Sequence, residues 1–171
     1  VGKFDDAIEF AQLTIDDEES TDDQKTSGSY VQRQAQKKVM VSTTTVAVLV
    51  PLTGKYGAIG KMVKQSIDLG FLDGGATFKP VVYDSGETAQ SAVSALEKAV
   101  LEDGAIAAIG PIRTDVGPQV ATAAHLLGVP LLSLSKSVSS EEFDAWVYQA
   151  MVTEKHLVSA LLGRHPKTRF Q

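Results

Sequence analysis

The chain has 171 residues, is 43% hydrophobic and 6% aromatic, carries a formal net charge of -5 and contains no cysteine. That is material for one good core with an appendage, and it excludes a disulfide framework, a thiolate metal site and a cysteine nucleophile within these residues. Residues 1 to 24 hold nine of the 21 acids and one of the 16 bases, leaving 15 bases against 12 acids elsewhere, with no basic cluster interleaved with aromatics to form a nucleic-acid groove.

No apolar run approaches the ~20 residues needed to span a bilayer, and the first residues lack the basic start and apolar centre of a signal peptide. The start at Val1, inside a helical pattern, leaves room for an upstream targeting segment. Gly2 to Ile15 places Phe4, Ile8, Ala11 and Ile15 three to four apart, with Asp5, Asp6 and Glu9 near the favourable end of the dipole, so an amphipathic helix is expected. It loosely resembles one helix of a tetratricopeptide repeat, and an ordinary packing helix would read the same way. Asp16 to Ser29, acidic and rich in Ser and Thr without an apolar period, reads as a solvated linker. Tyr30 to Met40 reads as a short helix.

Val46 to Val50 is a continuous aliphatic run suited to a strand buried on both faces, and Pro51 stops it. A loop containing Gly54 and Gly57 follows, and then apolar residues recur at helical spacing from Ala58 to Leu72. Lys79 to Asp84 is a second strand. Thr88 or Glu87 opens a helix lined by Ala92, Val93, Leu96, Ala99 and Val100, which Gly104 closes. Ala105 to Ile109 is a strand, Val116 to Leu127 a helix, Val129 to Leu134 a strand, Phe143 to Ala150 another short strand, and Thr153 to Leu162 a helix. The alternation predicts an α/β fold, a three-layer α/β/α parallel sheet with right-handed crossovers, carrying an N-terminal helical appendage. Ligands bind such sheets beyond the carboxyl ends of the strands, here the loops Leu52 to Gly57, Asp84 to Glu87, Gly110 to Asp115 and Ser135 to Ser139.

Gly54, Gly57 and Gly60, with Asp84 ending the next strand, have the order of a dinucleotide fold. The spacing Gly-x-x-Gly-x-x-Gly lacks its close first pair, so a nucleotide-dependent enzyme ranks last among the readings. His125, His156 and His165 are scattered without metal-ligand spacing, and the serines from 133 to 140 lie in a loop-like run. No catalytic residue, metal ligand or cofactor is assigned. A binding site has better material: Thr114 near a helix start, Ser135 and Ser137 beside Lys136 at a strand exit, and Tyr56 could surround a small carboxylate. A helix cap, a turn and a hydrophobic plug would use the same residues.

Four segments in order, Val-Ala-Val-Leu-Val-Pro-Leu-Thr-Gly-Lys-Tyr-Gly-Ala-Ile-Gly, Val-Val-Tyr-Asp-Ser-Gly, Ala-Ala-Ile-Gly-Pro-Ile-Arg-Thr and Gly-Val-Pro-Leu-Leu-Ser-Leu-Ser, resemble the type I periplasmic binding proteins. These include the leucine/isoleucine/valine-binding proteins of ABC transporters. The resemblance implies an extracytoplasmic protein that holds an amino acid or related small polar ligand between two lobes and delivers it to a permease. The resemblance thus implies a binder and not an enzyme. The carboxylate-holding positions of the first lobe fall on Thr114, Ser135 and Ser137, and a ligand-covering tyrosine on Tyr56, while Lys136 and Arg113 are more basic than is usual there.

Gly-Pro-Ile-Arg-Thr, Ser-Leu-Ser and Trp146 to Thr153 also resemble the penicillin-binding-protein activator lipoproteins. That implies contacts with a peptidoglycan synthase and a lipid anchor upstream. Either resemblance divides the chain into a helical, acidic segment at 1–44, a first lobe at 45–150, and a crossover with the start of a second lobe at 151–171. A chain ending inside its second lobe would hold half a clamp, with millimolar affinity at best, ~4 kcal/mol.

Overall fold

A computed structural model of the chain describes residues 3–36, 42, 44–75, 77–136, 146–152, 158 and 160–161. The first two elements are helices, α1 (Phe4–Asp16) and α2 (Asp22–Gln36), packed as an antiparallel hairpin. The expected linker is therefore replaced by helix from Asp22 onward. Thr21 and Gln24 form a reciprocal cap: Gln24 N–H donates to Thr21 Oγ1 at 3.3 Å and Thr21 N–H to Gln24 Oε1 at 2.8 Å. Asp22 and Asp23 lie in the first turn and Arg33 in the last, each favourable to the dipole. The small residues that hide an apolar period are what the crossing needs. A Cβ on Gly28 would stand 3.2 Å from the Ala11 carbonyl oxygen and from Ile15 Cγ1.

Five parallel strands follow: β1 (Thr45–Val50), β2 (Lys79–Asp84), β3 (Ala107–Ile109), β4 (Leu131–Ser133) and β5 (Val147–Gln149), in the order β2-β1-β3-β4-β5. The helices between them are α3 (Gly57–Asp73), α4 (Ala89–Leu101) and α5 (Gly117–Leu127). Each of the three shorter strands falls inside its expected range, and Val158, Ala160 and Leu161 of the expected last helix are helical. The architecture is a parallel α/β sheet with helices on both faces and an N-terminal helical appendage, as expected.

Chain direction across the sheet reverses after β2, which places the switch point between β1 and β3. Because β1 to β2 runs one way and the later connections the other, right-handed crossovers put α3 on one face and α4 and α5 on the opposite one. On the α4/α5 face Ala47, Leu49, Ala108 and Leu131 meet Ala92, Leu96, Ala99, Val120 and Ala124 in one buried cluster. Alanines on both helices let them sit close to the strands. Thr88 caps α4 through the Ser91 N–H at 3.1 Å, and Gly128, at φ +65°, ends α5.

The α1–α2 hairpin docks on the far ends of α4 and α5. Tyr30 donates to Glu97 at 2.6 Å, Gln34 to the Val100 carbonyl at 3.1 Å and Ser27 to the Leu126 carbonyl at 3.0 Å. On the opposite face α3 departs from its periodicity: Ile59, Met62, Leu69 and Leu72 are exposed, and the fully buried positions are Gly57 and Gly60. Backbone approach sets this orientation. A Cβ on Gly60 would stand 1.7 Å from the Pro51 carbonyl oxygen.

Candidate functional site

Strand β1 delivers the chain to Pro51, and the loop after it is tied to the loop after β2 by two carboxylates. Asp84 accepts from Leu52 N–H at 2.8 Å, Thr53 Oγ1 at 2.7 Å and Gly86 N–H at 2.9 Å. Partial desolvation pushes the Asp84 carboxyl up, and the hydrogen bonds from Leu52, Thr53 and Gly86 more than offset it, so its pKa lies below the ordinary value. Glu87 accepts the Lys55 N–H at 2.5 Å. The glycines that gave the loop its dinucleotide look are thus already filled: Glu87 Oε1 lies 2.1 Å from where a Gly54 Cβ would be, and the Pro51 carbonyl fills the place beside Gly60. Asp84 is a loop tie, not a ribose-binding acid.

The loop after β3 is joined to this pair by Arg113. Its Nη1 donates to the Glu87 carbonyl at 2.5 Å, its Nε to Asp115 Oδ1 at 3.1 Å and its Nη2 to Asp115 Oδ2. The guanidinium lies 4.7 Å from the centre of the Tyr56 ring, and Lys55 Nζ lies 5.4 Å from it. The hydrogen bond from Arg113 holds the Asp115 carboxyl below the ordinary range.

These loops wall a cavity of about 620 Å³, lined by Tyr56, Ile59, Val63, Ile112, Arg113, Thr114, Asp115, Leu134 and Met151. It lies beyond the carboxyl ends of β1, β3, β4 and β5, where an open α/β sheet binds ligands. Of the residues expected at a site, Tyr56 and Thr114 are brought together here. The capping position of α5 is Val116, so Thr114 lies ahead of the cap. Ser135 is buried and is not among the lining residues: its hydroxyl is 3.2 Å from that of Ser133, and its carbonyl accepts from Gln149 at 3.0 Å. Ser137 lies outside the described residues. The apolar wall of Ile59, Val63, Ile112, Leu134 and Met151 is new. Ile59 and Val63 sit one helical turn apart on the first helix after the glycine loop, a pattern that marks a wall only once the helix is known to face the cleft.

Residues 43–168 match the periplasmic binding protein family. The chain belongs to that family. Its fold is similar to a leucine-binding protein of Thermotoga maritima, with a TM-score of 0.59 and 21% identity over 70% of this chain and 35% of that one. It is also similar to the branched-chain amino acid binding protein LivJ of Streptococcus pneumoniae, solved with isoleucine (TM-score 0.57, 18% identity, 66% and 34% covered). A third likeness is to a solute-binding protein of an ABC transporter from Rhodopseudomonas palustris, solved with 3,4-dihydroxybenzoic acid (TM-score 0.58, 17% identity, 64% and 32% covered). The chain therefore spans about a third of the length of these solved proteins. No curated protein matches it in sequence. Among the described residues no helix is long and apolar enough to cross a membrane, and no three metal-ligating side chains cluster.

Proposed function

We propose that the chain is the first ligand-holding lobe of an extracytoplasmic solute-binding protein serving an ABC-type transporter, a binder and not a catalyst. The observation that carries this is the cavity of about 620 Å³ at the switch point, lined by Tyr56, Thr114 and apolar side chains. Those groups suit a small ligand with a carboxylate at one end and an apolar body. The family resemblance assigns Ser137 a hydroxyl-donor role, and Ser135, buried on Ser133 and Gln149, holds the exit of β4. The experiment is a thermal-shift and titration series against leucine, isoleucine and small carboxylates. A shift with one of them, lost in Thr114→Ala, supports the reading; no shift with any, in a folded protein, overturns it.

A second reading draws on the α1–α2 hairpin, where Phe10, at 71%, and Leu13 are exposed on a helix pair docked on α4 and α5. There the module activates a peptidoglycan synthase through protein contacts. Capture of the purified synthase, lost in Phe10→Asp, would favour it.

A further inference from the structure

Arg113 and Asp115 are the only charged side chains among the described residues that line the cavity, and they are paired with each other. Nε and Nη2 of the guanidinium both reach the Asp115 carboxylate, so the two-pronged edge that fits a carboxylate is already taken by one from the chain itself. The two partners are held very differently. Arg113 is 16% exposed, whereas Asp115 is 66% exposed. Stacking on Tyr56 and the hydrogen bond to the Glu87 carbonyl would both survive the departure of Asp115. A ligand carboxylate replaces Asp115 like for like on the same two donors, the exposed Asp115 carboxylate returns to water, and the guanidinium stays aimed.

We infer that Arg113 is the specificity-determining group of the cleft: it exchanges Asp115 for the carboxylate of an apolar monocarboxylate that has no ammonium group. This rests on the solute-binding reading above. Asp115 is the built-in competitor that keeps the empty cleft neutral. Ile59, Val63, Ile112 and Leu134 then receive the body of the ligand. A ligand ammonium would lie among apolar walls beside a guanidinium, and the only carboxylate on the described lining to pair it is the displaced Asp115, which at 66% exposure pairs it weakly.

The test titrates benzoate and isoleucine into the whole chain, followed by amide chemical shifts, for the wild type, Asp115→Asn and Arg113→Met. Benzoate is expected to bind more tightly than isoleucine, about fivefold more tightly again in Asp115→Asn, and no longer in Arg113→Met. If Arg113→Met fails to keep the native spectrum, the sign of the Asp115→Asn effect decides alone. Benzoate binding unchanged or weakened in Asp115→Asn overturns the inference and leaves the solute-binding reading standing. So does isoleucine bound more tightly than benzoate and weakened by Asp115→Asn, since Asp115 would then be an ammonium partner. Absence of binding by either probe in every variant overturns both.

Discussion

The Glu87 carboxylate accepts the backbone N–H of Lys55 at 2.5 Å and occupies the space beside Gly54, whose φ is +67°. One side chain from the β2 loop thereby fixes both the path and the residue type of the β1 loop. Glu87→Ala should cost about 1 kcal/mol through the lost charge-assisted bond. Gly54→Ala should cost more, combining left-handed strain of ~1 kcal/mol with the clash against Glu87. In the double variant the clash is gone, so the two costs should sum to more than the measured total. Urea midpoints of the four proteins check this, and strict additivity would contradict it.

Two glycines of α3 should respond in opposite directions. Gly60→Ala places a Cβ 1.7 Å from the Pro51 carbonyl and should destabilise by on the order of 3 kcal/mol. Gly70 meets nothing within 4 Å, so Gly70→Ala should stabilise by about 0.5 to 1 kcal/mol through helix propensity alone. Thermal melts of the pair suffice; a stabilised Gly60→Ala would show that α3 does not rest on the β1 loop.

Alkaline pH should weaken the docking of the helical hairpin. Burial, then the hydrogen bond to Glu97, pushes the Tyr30 phenol from 10.0 up to about 12. A pKa raised by folding means the folded state holds the proton longer. The stabilisation is complete below pH 10 and is lost as pH rises from there through about 12. Tyr30→Phe should be less stable than the wild type at neutral pH and should lose less stability over that alkaline window, as read from helical circular dichroism. Parallel curves for the two proteins would remove Tyr30 from the account.

The cap at the head of α2 should matter more than its exposure implies. Thr21→Ala removes the acceptor for the Gln24 N–H and should cost about 1 kcal/mol. Amide exchange in α2 should accelerate while β1 stays protected, because the loss is local to the hairpin. Equal acceleration in both would mean that hairpin and lobe unfold together.

Strand β1 and helix α4 were legible because their burial follows from periodicity alone: five aliphatic residues in a row, and Ala92, Leu96 and Ala99 on one face. Helix α2 was not, since Ser, Thr and Gly conceal its buried side. Only the Thr21 to Gln24 capping spacing announced it. At the site, Tyr56 and Thr114 could be placed from strand ends and loop order. The stacking of Arg113 on Tyr56 and its bond to the Glu87 carbonyl join three loops distant in sequence, and no local pattern encodes such a meeting. Ser135 illustrates the same limit, as the direction of one side chain at a strand exit decides between interior and cleft.

The anchoring of the α1–α2 hairpin through Ser27, Tyr30 and Gln34 uses the carboxyl ends of α4 and α5, which lie at the opposite pole of the sheet from the Arg113 loop. The lobe therefore has a handle and a mouth that do not share a surface. Anything that grips the hairpin, a tether or a neighbouring protein, leaves the cleft facing outward, and a ligand entering the cleft need not disturb the grip. On the solute-binding reading proposed above, holding and catching proceed at once on a body only one sheet thick.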